Sequence, residues 1–124
     1  MATGRLLVLD DDGTVGQILV MAAQTVGFEA CCCEDLPAFV DKLATWAPTH
    51  VSLDLSLPQA SPHVVMQCLV DAGCAARVIV CSGAAPAELQ AALALARQRG
   101  LATAGVLAKP FRLAELRALL EAPV

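Results

Sequence analysis

Three acids in succession close an apolar run near the start of the chain, in the stretch LLVLDDDGTV from Leu6 to Val15. Carboxylates this crowded repel one another and raise each other's pKa values unless a cation sits among them. Three further apolar runs end on groups of complementary chemistry: HVSLD delivers Asp54, VIVCS leads to Ser82, and GVLAK delivers Lys109. Oxygen ligands alone suit Mg²⁺, which prefers an octahedral shell of carboxylates, carbonyls and waters and neutralises a phosphoryl group bound alongside. One carboxylate is then free to attack phosphorus. The ammonium, the hydroxyl and nearby backbone amides would stabilise the charge that develops on the equatorial oxygens.

Such groups act together only if the fold brings them to one place, and the hydrophobic pattern predicts that it does. Short apolar runs suggest strands near Arg5–Asp10, Phe28–Cys33, His50–Asp54, Arg77–Cys81 and Ala104–Ala108. Between and after them, helices are predicted over Thr14–Val26, Leu36–Thr45, Pro62–Ala72, Pro86–Arg99 and Leu113–Glu121. Gly27, Gly73 and Gly100 stand where helices should stop, and Pro86 suits a first helical turn. Strands alternating with helices build a parallel sheet, whose ligands sit beyond the carboxyl ends of the strands. Asp10, Asp11, Asp54, Ser82 and Lys109 all fall at such ends.

Size and composition remove other classes of function. The chain of 124 residues fits one domain over residues 1–124, with a core that needs no disulfide. It is 57% hydrophobic and 16% charged, yet charges and prolines interrupt each apolar run before the roughly 18 residues of a membrane span. The start MATGRLLVLD lacks the basic segment and cleavage site of a signal peptide, which predicts a cytoplasmic protein with no membrane partner. A net charge of −4 with dispersed Lys and Arg argues against direct nucleic-acid binding. Cys31, Cys32 and Cys33 would alternate across a strand, so the cysteines read as free structural thiols rather than a zinc site.

In order and spacing, LLVLDDD, VSLDLSLP, VIVCSG and AGVLAKPF resemble the receiver domain of two-component response regulators over essentially the whole chain. The resemblance implies a single-domain (βα)5 flavodoxin/CheY-like fold, an α/β doubly wound five-stranded parallel sheet of order 2-1-3-4-5. It implies that Asp54 is the phosphoacceptor and that Asp11, Asp54 and the Ser56 backbone carbonyl bind Mg²⁺, with Asp10 acting largely through metal-bound water. Ser82 and Lys109 would contact the phosphoryl group, and the Lys109–Pro110 peptide would be cis. The implied partners are a sensor histidine kinase and an output domain or protein. Read instead as Asp10-x-Asp12-Gly13-Thr14-Val15, the first motif resembles haloacid-dehalogenase-type phosphatases, with Asp10 as nucleophile. That reading lacks an acidic pair after Lys109 and leaves Asp54 without a role. A degenerate receiver used only for docking is a third class, and in the receiver reading Asp12 and Thr14 are turn and capping residues.

Two departures from the receiver pattern stand out. The loop after Asp54 runs Leu57-Pro58-Gln59-Ala60-Ser61-Pro62 without its usual glycines, and Val106 occupies the position of a switching aromatic ring. The segment from Ala87 to Leu120 further resembles receivers joined to EAL-type cyclic di-GMP phosphodiesterase domains, implying such an output; the end EAPV reads as the start of a linker. In the fourth helix Ala91 through Ala96 cannot all face inward, so small apolar surface is expected outside. It suits a homodimer or domain docking, or reflects only alanine's helix propensity.

Overall fold

The computed structural model describes residues 4–122. The expectations placed on the first three residues and on the last two of EAPV lie outside them. Five strands, β1 (Arg5–Leu9), β2 (Glu29–Cys33), β3 (His50–Leu53), β4 (Arg77–Ser82) and β5 (Thr103–Ala108), alternate with five helices. The helices are α1 (Gly13–Gln24), α2 (Leu36–Trp46), α3 (Pro62–Asp71), α4 (Pro86–Gln98) and α5 (Leu113–Glu121). All strand pairings are parallel and the order is β2-β1-β3-β4-β5. The order reverses at β1 and β3, which places the ends of these two strands side by side.

Period-two alternation divides the core between the faces of the sheet. Leu6 and Val8 pack with Leu19, Val20 and Ala23 of α1 and Leu116 and Leu120 of α5. Leu7 and Leu9 face the other way, toward Phe39 of α2, Met66 and Leu69 of α3 and Leu89 and Leu93 of α4. With both faces covered, β1 is apolar from Leu6 to Leu9, each residue fully buried and each contributing roughly 1.5–3 kcal/mol. A central parallel strand must read this way. No described helix is long and apolar enough to cross a membrane.

Caps explain the helix boundaries. Asp12 accepts from the Thr14 and Val15 amides at the head of α1, Asp35 from Ala38 at α2, and Ser61 from Val64 at α3. Gly27, Gly73 and Gly100 adopt positive φ as the predicted stops. At α2 that role falls to Ala47, at φ 51°, a left-handed alanine that no sequence signal marks. β5 also carries an extra residue: Val78 pairs with Thr103, but Ile79 pairs with Gly105, leaving Ala104 as a bulge. Gly105 takes φ 152°, and a Cβ there would lie 2.8 Å from Leu119.

In α4, Ala92, Leu93 and Ala96 are buried while Ala91 and Ala94 are exposed. The expected small apolar outer surface is therefore present, interleaved with Gln90 and Arg97, which are exposed too.

Candidate functional site

Backbone pairing continues one residue past the central strands and aligns the site. The Asp10 amide donates to the Cys33 carbonyl at 3.1 Å, and the Asp54 amide donates to the Leu9 carbonyl at 3.0 Å. Asp54 is thereby registered beside the end of β1. On the other side the Lys109 amide donates to the Ser82 carbonyl at 3.0 Å, registering the lysine beside the end of β4. Lys109–Pro110 is cis, as expected.

The acids meet. One carboxylate oxygen from each of Asp10, Asp11 and Asp54 lies within 4.8 Å of the others. Asp10 and Asp54 are 1% and 6% exposed, whereas Asp11 is exposed on the rim. The Lys109 ammonium donates to Asp10 Oδ2 at 2.7 Å and stands 3.8 Å from Asp54 Oδ2. Asp10 Oδ1 accepts from the Asp12 amide at 2.9 Å, and Asp54 Oδ1 from the Ser56 amide at 3.0 Å. Both oxygens of Asp10 are thus engaged, while Asp54 Oδ2 accepts no hydrogen bond from the described residues.

Burial pushes the Asp54 carboxyl upward from 3.8; the Ser56 amide and the Lys109 charge oppose the shift, and the Asp10 and Asp11 charges add to it. Burial alone would lower Lys109, but its hydrogen bond to Asp10 and the nearby Asp54 and Asp10 charges outweigh that and hold the ammonium above 10.5. Burial thus disfavours the charged form of Asp54, while the acids around Lys109 favour its ammonium. Three converging carboxylates with no nitrogen or sulfur donor fit a small hard cation.

The predicted site residues Asp10, Asp11, Asp54, Ser82 and Lys109 therefore gather at one rim. Asp12 turns aside to cap α1, as expected for a turn residue. Ser56, predicted to matter for its backbone alone, also brings its hydroxyl to 3.5 Å from that of Ser82. Nothing in VSLDLSLP could show this, because the contact depends on the bend of the chain after β3. The unusual loop forms a cleft of about 90 Å³ with Asp11, Glu34 and Asp35, lined on its own side by Leu57, Pro58, Gln59 and Ala60. Val106 is half-buried on β5, opposite Val80.

No sequence-family model matches the chain, and no curated protein is significantly similar to it. Solved structures do resemble it. Full-length FixJ from B. japonicum superposes with a TM-score of 0.81 at 22% identity, over 98% of this chain and 57% of that one. The chain has the receiver fold. It spans little more than half of FixJ but nearly all of the chemotaxis response regulator CheY4 of Vibrio cholerae, with 98% and 97% of the two chains covered, TM-score 0.78 and 18% identity. A response regulator from Burkholderia pseudomallei, crystallised with a phosphorylated aspartic acid, a calcium ion and citrate, matches at TM-score 0.78 and 22% identity, over 95% of this chain and 66% of that one. The CheY-like receiver topology, order β2-β1-β3-β4-β5 with five helices, is the one these comparisons and the sheet share.

Proposed function

We propose that the chain is a phosphoacceptor switch of two-component signalling, in which Asp54 takes a phosphoryl group from the phosphohistidine of a sensor histidine kinase. The observation that carries this reading is the meeting of Asp54 with Asp10, Asp11 and Lys109 at the end of β3. Asp54 Oδ2 attacks phosphorus; the new P–O bond forms as the P–N bond to the donor imidazole breaks. Lys109 is placed to move from Asp10 Oδ2 onto a phosphoryl oxygen. The Ser56 amide holds the other oxygen of Asp54 in place, and Ser82, at the end of β4, would donate to the phosphoryl group. Asp10, Asp11, Asp54 and the Ser56 carbonyl would hold Mg²⁺, which when bound supplies charge neutralisation among the carboxylates and the phosphoryl oxygens.

The acyl phosphate on Asp54 then biases a two-state equilibrium in the loops around it and so changes association with an output domain or partner. An EAL-type output and a homodimer through the small apolar face of α4 belong to the same reading. The domain works in the cytoplasm and modifies only itself.

Incubation with acetyl phosphate and Mg²⁺, followed by intact mass measurement, tests the proposal. One phosphoryl group is expected on the wild type and none on Asp54→Asn. Label lost only in Asp10→Asn, with steady substrate hydrolysis, would favour the phosphatase reading; no label with intact partner binding would favour a docking module. Mg²⁺ at a hundred times its dissociation constant is expected to stabilise the fold by about 2.7 kcal/mol, less in Asp11→Ala. A melting temperature indifferent to millimolar Mg²⁺ would remove the metal site.

A further inference from the structure

β2 is an edge strand, paired with β1 alone. Successive side chains on a strand face opposite ways, so Cys31 and Cys33 share the side covered by α2, while Cys32 packs on the α1 side. All three are half-buried free thiols. Residues two apart on a strand have α-carbons roughly 6.6 Å from one another. Rotation about χ1 brings two such sulfurs toward the roughly 4.6 Å that spans one cation between them, twice a metal–sulfur bond of about 2.3 Å. Lys42 of α2 is the cation that acts on both: burial pushes the two thiols up, and the Lys42 charge works against it at each, whereas Cys31 and Asp35 add to the rise at Cys33. Lys42 is itself half-buried, with its ammonium 5.5 Å from the centroid of the Trp46 ring, and it forms no ion pair with the described residues. A partly desolvated cation of this kind calls for an anion beside it.

We propose that Cys31 and Cys33 form a two-coordinate site for the soft cation Cu(I), with Lys42 balancing its charge. On binding, each thiol gives up its proton to solvent; two thiolates and one Cu(I) carry a net single negative charge, which the Lys42 ammonium offsets. Zinc does not fit, because it takes four ligands and the one group of three or more His, Cys, Asp or Glu able to share an ion among the described residues is Asp10, Asp11 and Asp54. Thiolates select Cu(I), whereas oxygen ligands select Mg²⁺, so the two sites keep their metals apart. The inference goes beyond the phosphoacceptor reading and stands without it.

The test is titration of the reduced full chain with Cu(I) in competition with bicinchoninate, without oxygen. The wild type is expected to take one Cu(I), with X-ray absorption showing two sulfur neighbours. Loss of an outer partner of a metal site weakens binding about 10–100-fold, so Lys42→Met is expected to cost about ten-fold, and Cys31→Ser or Cys33→Ser more than about a hundred-fold. Cys32→Ser should bind as the wild type does. Alkylation by iodoacetamide reads the same site in the unaltered chain: Cu(I) should shield Cys31 and Cys33 and leave the half-buried Cys68 open. Binding that survives the loss of both Cys31 and Cys33, a shell of three or four sulfurs, or no shielding of the pair would overturn the inference.

Discussion

Lys109 donates to Asp10 Oδ2 across 2.7 Å, an ion pair that ties the end of β5 to the end of β1 over 99 residues of sequence. The Asp10 side chain is 1% exposed and that of Lys109 20%. The pair therefore lies well inside the low-dielectric edge of the core.

Removing the lysine should leave a buried carboxylate held only by the Asp12 amide, beside two further acids. Breaking a fully enclosed pair costs roughly 3–5 kcal/mol, and the partial exposure of the lysine brings the expectation down to about 2 kcal/mol for Lys109→Met. Urea unfolding in EDTA measures this, and Mg²⁺ should return part of the loss by replacing the missing positive charge. A loss under roughly 0.5 kcal/mol, the level of an exposed pair, would show that the bridge contributes nothing to the fold.

At the opposite end of the sheet, His50 supplies a pH dependence. Its ring is 7% exposed, edge-on to Phe28 with centroids 5.3 Å apart; Nδ1 pairs with Thr49 Oγ1 at 2.9 Å, and Nε2 has no partner among the described residues. Burial, helped by the Arg77 charge, lowers its pKa from 6.5. The unfolded chain therefore takes up this proton first as pH falls. Stability from the neutral ring is complete above about 6.5 and is lost between that value and the lower folded one. Urea unfolding from pH 7.5 downward, to about pH 5, should show a steeper loss for the wild type than for His50→Leu. Equal slopes would mean that His50 takes its proton as easily folded as unfolded.

What the sequence made legible follows from which forces act locally. Asp10, Ser82 and Lys109 each follow an uninterrupted apolar run and Asp54 follows one broken only by Ser52, so the change from core to rim is written into the string and the parallel topology does the rest. Gly27, Gly73 and Gly100 announced three helix ends because only glycine adopts that backbone at no steric cost. Ala47 ends α2 in the same left-handed region without glycine, exposed and directly before Pro48, which marks a stop but not the left-handed turn. The bulge at Ala104 was hidden for a related reason: AGVLAK reads as a smooth strand, and Gly105 looks like filler until Leu119 is seen against it. The Ser56–Ser82 contact joins the loop after β3 to the end of β4, 26 residues apart, and became visible only once both were placed.

Gly16 gives the last prediction, because it sets how closely α1 lies on the sheet. A Cβ at this position would sit 2.3 Å from Cys32 Sγ and 3.3 Å from Cys32 Cβ, so helix and edge strand touch through the missing side chain. Within an unobstructed helix, Gly→Ala gains roughly 0.5–1 kcal/mol. Here overpacking of roughly 1–3 kcal/mol opposes that gain, and Gly16→Ala is expected to destabilise by about 1 kcal/mol. Cys32→Ala removes the sulfur and leaves only the tolerable Cβ contact. In that background Gly16→Ala should turn neutral or stabilising, a reversal of sign that urea unfolding of the four proteins detects. The same displacement would push the head of α1, and with it the Asp12 cap that follows Asp10 and Asp11, away from the acidic site. Gly16→Ala alone should therefore also weaken Mg²⁺ stabilisation, and Cys32→Ala should restore it. If Gly16→Ala costs the same with and without the Cys32 sulfur, the close approach of α1 to β2 is not what this glycine provides.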